Sequence, residues 1–212
     1  MRTGTDKNLL FCMRLIEHIR IRKMRVQEMA TSKEKSDKHF PVWGHKFSTL
    51  FSNPKKYCSY VKKGQVVADL GCGPGFYTLA LADCVGNEGK VYAVDSDEKV
   101  IQALKKKVDK GGYHNIEMHA SSASDISFIE DGSVDFILAN GLLCSVAPQQ
   151  LQLVVREIKR ILKPKGEAYI SAAKGWGSYM SEEKWRRILE GFRVERNGDP
   201  MIGDRWAIVS KI

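Results

Sequence analysis

One stretch constrains this chain more than any other: Val66-Val67-Ala68-Asp69-Leu70-Gly71-Cys72-Gly73-Pro74-Gly75-Phe76-Tyr77-Thr78. An apolar run ends in an aspartate, a Gly-x-Gly-x-Gly turn follows, and an apolar-periodic segment (Leu79, Leu81, Ala82) then opens as a helix. That is a strand, a tight loop and a helix N-terminus, an arrangement that brings bare backbone up to a ligand. Glycines at 71, 73 and 75 allow a close approach that side chains would block. The rest of the chain reads as scaffold for whatever sits in that loop.

Charge narrows the ligand. A dinucleotide fingerprint, Gly-x-Gly-x-x-Gly, needs its third glycine at position 76, and Phe76 stands there instead. Asp69, at the strand end beside the loop, repels a diphosphate and attracts a cation. A ligand bearing an ammonium and a sulfonium suits that charge. Downstream, Lys90-Val91-Tyr92-Ala93-Val94-Asp95 is a second short strand ending in an acid, where one carboxylate can accept from both hydroxyls of a ribose.

On these residues the chain resembles the class I S-adenosylmethionine-dependent methyltransferases, with the first motif at Asp69 to Gly75 and the ribose acid at Asp95. Within that class it is most similar to the small methyltransferase-domain proteins related to the ubiquinone and menaquinone biosynthesis enzymes. The resemblance covers roughly residues 64–166 and continues more loosely to 212. It implies an α/β fold: a Rossmann-like, doubly wound, mostly parallel seven-stranded sheet with an antiparallel C-terminal hairpin, preceded by a helical N-terminal extension. It also implies S-adenosyl-L-methionine as cofactor, held by Asp69, Gly71, Cys72, Gly73, Gly75, Phe76, Tyr77, Asp95 and Ser96. Where relatives carry Asp-Ala at the adenine, this chain has Ser122-Ala123, with Asp125 as a candidate substitute. Asn140 and Gly141, after the fourth strand, fall where the donor methyl is expected.

Taken in order, residues 1–52 read as an N-terminal extension and 53–212 as the catalytic domain. Leu9, Leu10, Met13, Ile16, Ile19 and Met24 fit an amphipathic helix. Residues 31–38 are polar and linker-like. Phe40, Trp43 and His45 lie in an aromatic segment that the resemblance assigns to a substrate-pocket wall; Trp43 equally fits a core anchor. From residue 53 strands and helices alternate, as in a parallel sheet covered on both faces. Expected are a helix from Pro54 to Val61, strands at 65–70, 90–95, 116–119, 133–140 and 167–172, and helices at 76–85, 97–110, 149–162 and 181–190. Two antiparallel strands at 192–196 and 205–210 close the fold. Trp176, in the glycine-rich loop 173–179, is a second candidate for the pocket wall. Cys144 is a candidate substrate contact, or a small packed residue.

The chain has 212 residues, enough for one domain with a sizeable core. No apolar run approaches the roughly 20 residues of a membrane span, so a cytoplasmic protein is expected. The five cysteines form no Cys-x-x-Cys pair and no regular spacing, which argues against a metal site and a disulfide framework. The net charge is +9, and residues 1–39 supply +5 of it. That invites a nucleic-acid partner, but no aromatic residues interleave with the basic ones as RNA-binding modules require.

Methyl transfer from a sulfonium needs mainly alignment and exclusion of water. Tyr77, His45 and Tyr179 are available as bases, and spacing marks none of them as catalytic. A small-molecule acceptor is the leading expectation. The alternatives are an RNA or protein methyltransferase using the basic N-terminal segment, a non-catalytic cofactor-binding protein and a nicotinamide oxidoreductase. Asn140-Gly141-Leu142-Leu143 lacks the Pro-Pro-Tyr signature of base N-methylation.

Overall fold

The structure is a computed structural model that describes residues 53–173, 180–200 and 204–212. A short 3-10 helix, Pro54–Tyr60, leads into β1 (Val66–Leu70), α1 (Thr78–Val85), β2 (Lys90–Asp95), α2 (Glu98–Gly111), β3 (Ile116–Ala120) and β4 (Val134–Ala139). Then come α3 (Leu151–Ile161), β5 (Leu162–Ala172), α4 (Glu182–Leu189), β6 (Arg193–Gly198) and β7 (Arg205–Ser210). The seven strands lie in the order β3-β2-β1-β4-β5-β7-β6. β1 to β5 run parallel to one another, and β7 is antiparallel to both β5 and β6. This is the expected Rossmann-like architecture.

Local chemistry sets the elements. The Asp97 carboxylate accepts from the Lys99 N–H at 2.9 Å and starts α2, and Gly112, in the left-handed region, ends it. The Ser181 hydroxyl caps α4 in the same way. The central strands are apolar along their length because both sheet faces are covered. On one face Tyr57 of the 3-10 helix and Leu81 and Val85 of α1 pack on Val67, Phe136, Leu138 and Tyr169. On the other, Val154, Ile158 and Ile161 of α3 and Trp185 and Ile188 of α4 cover Ala68, Ile137, Ile170 and Val209. Each large aliphatic side chain buried this way contributes about 2 kcal/mol.

Two expectations need correction. β5 begins at Leu162, five residues before the expected start. Leu162 pairs with Val134, and the register then shifts before Glu167 pairs with Phe136. The Lys163-Pro164-Lys165 segment is accommodated in that irregularity, where the missing N–H of Pro164 costs no ladder bond. The cysteine reading also fails in part: Cys58 and Cys84 form a disulfide with a Cα–Cα distance of 5.8 Å. They meet because the 3-10 helix packs on α1, a long-range fact that spacing does not carry. Cys72 and Cys144 are free.

Candidate functional site

The sheet order reverses between β1 and β4, and the crevice at the carboxyl ends of the strands flanking that reversal is where open parallel sheets bind ligands. Asp69 near the end of β1, Asp95 at the end of β2, Asn140 after β4 and Ser171 near the end of β5 all arrive there.

The glycine loop is held from within. The N–H groups of Gly71 and Cys72 both donate to the Val94 carbonyl, at 2.8 and 3.0 Å, and that of Gly75 donates to the Cys72 carbonyl at 3.1 Å. The Gly73 N–H donates to Asp95 Oδ2 at 2.9 Å. These donors are therefore spent inside the protein and do not cradle a phosphate. Lys107 of α2 fastens the loop from outside, donating to the Pro74 carbonyl at 2.6 Å.

Two of the glycines serve different purposes. At Gly75, φ is 84° and an added Cβ would collide with Leu104 Cδ1, so this glycine lets α2 pack against the loop. At Gly73, φ is 54° and an added Cβ would meet nothing within 4 Å. Gly73 thus faces open space beside Asp95, room for a flat ligand edge or a ribose. Asp95 is half-buried; its Oδ1 accepts from the Asp97 N–H at 3.0 Å. Each carboxylate oxygen so takes one backbone N–H and keeps a lone pair for a hydroxyl. Ser96 beside it is exposed.

Asp69 is 3% exposed, and its Oδ2 accepts from the Thr78 hydroxyl at 2.6 Å. Burial pushes its pKa up from 3.8 to about 7, against the opposing Thr78 hydrogen bond. A cation placed nearby would favour its charged form. The Cys72 side chain turns into the core against Leu104 and Val108, and burial pushes its thiol pKa up, so only its backbone belongs to the loop surface. Phe76 and Tyr77 are half-buried, their rings edge-to-face at 4.9 Å.

After β3, the Ser122 and Ser124 hydroxyls pair at 2.8 Å, while Ala123 is buried and Asp125 exposed. Arg160 pins this loop, donating to the Ile126 and Ile129 carbonyls and to Asp131 while paired with Glu157. Ser122 therefore offers hydroxyl chemistry at this position.

At β4 and β5 the structure joins the expected Asn140 and Gly141 to Tyr57 and Ser171, which the sequence reading missed. The Tyr57 hydroxyl donates to Asn140 Oδ1 at 2.8 Å, and the Ser171 hydroxyl donates to the same oxygen at 3.0 Å. Ser171 in turn accepts from the Gly141 N–H at 2.9 Å. Tyr57 and Ser171 are both fully buried. Burial also pushes the Tyr57 pKa well up, so its hydroxyl stays protonated. The half-buried Cys144 donates its thiol to the Gly141 carbonyl at 3.1 Å. Trp43, His45, Trp176 and Tyr179 lie outside the described residues. Among the described residues no group of His, Cys, Asp and Glu could hold a metal ion, and no helix is long and apolar enough to cross a membrane.

A doubly wound sheet, a glycine loop whose donors are turned inward and an acid at the end of β2 that keeps acceptor capacity meet at this end of the sheet. Residues 67–166 match the family model of the methyltransferase domain, and that match supports a class I S-adenosylmethionine-dependent methyltransferase domain over this span. It is similar to the demethylmenaquinone methyltransferases of Geobacillus stearothermophilus and Bacillus pumilus. These are 35% and 36% identical over 106 residues, 50% of this chain and 44% of each relative. The chain spans less than half the length of those curated relatives. The crystal structure of a SAM-dependent methyltransferase from Aquifex aeolicus superposes with a TM-score of 0.70 at 29% identity, covering 82% of this chain and 100% of that one.

Proposed function

We propose that this chain transfers the methyl group of S-adenosylmethionine to a small-molecule acceptor. The observation that carries the reading is the pairing of Asp95 with the glycine loop: the loop's own donors are spent, while the acid keeps acceptor capacity beside the open space at Gly73. Bound there, the cofactor would supply an electrophilic methyl on a sulfonium. The chain's part is to hold the ribose at Asp95, present Ser122 toward the adenine, offer Asp69 as the nearby negative charge, and exclude water behind Phe76 and Tyr77. Gly71, Gly73, Gly75, Gly141 and the backbone of Cys72 and Ala123 complete this proposed cofactor surface. A small acceptor is supported by the likeness to proteins named demethylmenaquinone methyltransferases.

In this reading residues 1–52 form an extension and 53–212 the catalytic domain, with Trp43, Cys144 and Trp176 toward the acceptor. A cytoplasmic location belongs to the same reading, and the Cys58–Cys84 disulfide bears directly on it, because reducing compartments seldom keep such bonds. The charge of +5 within residues 1–39 favours RNA or protein as the second choice of acceptor.

Titration calorimetry of the chain with S-adenosylmethionine, S-adenosylhomocysteine and NAD tests the cofactor. Micromolar binding of the first two is expected, and binding of NAD alone would overturn the reading. Methyl-labelled S-adenosylmethionine, offered with a quinol panel and separately with RNA, then sorts the acceptors by where the label goes.

A further inference from the structure

The 3-10 helix and α1 are joined by a bond that chemistry can open. Cys58 and Cys84, which form the disulfide, are both half-buried, so a small thiol can reach the sulfurs. The two elements they join are held unequally. α1 is seated by Ala80, Leu81, Ala82 and Val85, all buried, and its first residue, Thr78, bonds to Asp69. The 3-10 helix Pro54–Tyr60 has Tyr57 as its one buried residue and the weaker i→i+3 hydrogen bonds of its class. Opening the disulfide therefore loosens the 3-10 helix and leaves α1 in place. Cys58 adjoins Tyr57, whose hydroxyl is hydrogen-bonded to the Asn140 side chain at 2.8 Å. Ser171 bonds to the same side chain at 3.0 Å and takes the Gly141 N–H at 2.9 Å. A continuous run of contacts thus leads from the accessible sulfurs to the carboxyl end of β4. The Gly73–Asp95 bond at the other end of the site contains no member of that run.

We propose that Cys58 and Cys84 form a thiol–disulfide switch that sets the β4–β5 end of the site, with Tyr57 as the positioning residue through which it acts. What the switch regulates rests on the methyl-donor reading of that site. Reduction by a dithiol breaks the sulfur–sulfur bond: two electrons and two protons pass to the cysteines, which become thiols, and the dithiol closes to its own disulfide. A disulfide of the same class reverses the step through a mixed disulfide. In the reduced form Tyr57 keeps its ring packing on Tyr77 and Tyr169, with centroids at 4.9 and 4.7 Å, but the backbone beside it is no longer fastened to α1. Its hydroxyl then holds Asn140 for a smaller share of the time, and the Ser171–Gly141 bond loosens with it. With the cytoplasmic location proposed above, a half-buried disulfide has the profile of a redox sensor rather than a permanent staple.

The test is amide hydrogen exchange, read residue by residue by NMR on the full wild-type chain in its oxidised and dithiothreitol-reduced forms. On reduction the Gly141 N–H should exchange roughly tenfold faster, while the Gly73 N–H keeps its rate. Oxidised Tyr57→Phe should already show the fast Gly141 rate, and reduction should add little to it. The double variant Cys58→Ser, Cys84→Ser should match the reduced wild type and ignore dithiothreitol. Alkylation followed by mass spectrometry reads the bond itself: both cysteines should be blocked after oxidised glutathione and reactive after dithiothreitol. Thiols that stay reactive under oxidised glutathione, a Gly141 rate equal in the two forms, or an oxidised Tyr57→Phe rate equal to wild type would overturn the proposal. So would Gly73 and Gly141 rates that rise together, because the bond would then hold the whole fold. The wild-type comparison needs no variant to fold. The exchange pattern needs no ligand, so S-adenosylhomocysteine titrated into the same samples tests the methyl-donor reading separately.

Discussion

At the β1–β2 end of the site the bonded partners are close in sequence: Asp69 and Thr78 are 9 residues apart, and Asp95 and Gly73 are 22 apart. At the β4–β5 end they are distant, with 83 residues between Tyr57 and Asn140 and 31 between Ser171 and Asn140. The first end is made largely of backbone and acids, and is a single supersecondary unit. The second is made of side chains that meet only when the sheet closes. A ligand feature common to a whole class of proteins suits the first, and one that varies from protein to protein suits the second.

The comparison is broken most forcefully at the disulfide, which staples the 3-10 helix carrying Tyr57 to α1. It closes a span of 26 residues, and its loss through reduction or Cys58→Ser should cost about 3.5 kcal/mol by chain entropy. Denaturant titration with and without reductant checks this; coincident midpoints would show that the bond adds nothing. Next comes Asp95→Ala, which removes the proposed ribose acceptor and leaves the Gly73 and Asp97 N–H groups without their partner. Affinity for S-adenosylhomocysteine should fall roughly a hundredfold, about 2.7 kcal/mol.

The two glycines sharpen the contrast within the loop. Gly75→Ala places a methyl into Leu104 and should cost about 2 kcal/mol of stability. Gly73→Ala meets open space, so strain of about 1 kcal/mol at its positive φ is all the fold should lose, while cofactor affinity suffers. Thermal melts and S-adenosylhomocysteine titrations on both variants separate the two roles.

Asp69 gives a pH-dependent effect. Its folded pKa of about 7, raised from 3.8 by burial, means that its protonated form is favoured in the cofactor-free fold. That contribution is whole below pH 3.8 and is lost as pH rises through about 7. Asp69→Asn should therefore gain stability on the wild type by about 1.4 kcal/mol per pH unit between pH 5 and 7, and no further above it. Cofactor affinity runs the opposite way in the wild type, weakening about tenfold per unit as pH falls below that pKa, because the cation needs the ionised acid. A flat affinity profile across pH 5–8 would remove Asp69 from the cofactor's surroundings.

The sheet was legible because its strands carry their own signal: apolar runs ending in Asp69 and Asp95, and turn residues at Gly86 and Gly112. The glycine loop was legible as a motif, though which donors stay free was not; that depends on Val94 lying under the loop across the strand pair. Tyr57 and Ser171 gave no sign in the sequence. A tyrosine in Tyr57-Cys58-Ser59-Tyr60 and a serine late in an apolar strand are ordinary residues until their long-range partner is known. The Cys58–Cys84 bond escaped for the same reason. Pro164 misled in the other direction, since a proline normally ends a strand and here sits within the irregular start of β5.

The most direct single test is a crystal structure of the chain with S-adenosylhomocysteine. The account predicts the ribose hydroxyls on the Asp95 carboxylate, Gly73 against the ligand, and the thioether sulfur at the carboxyl end of β4 near Asn140. A ligand whose ribose avoids Asp95, or whose sulfur lies away from Asn140, would contradict it.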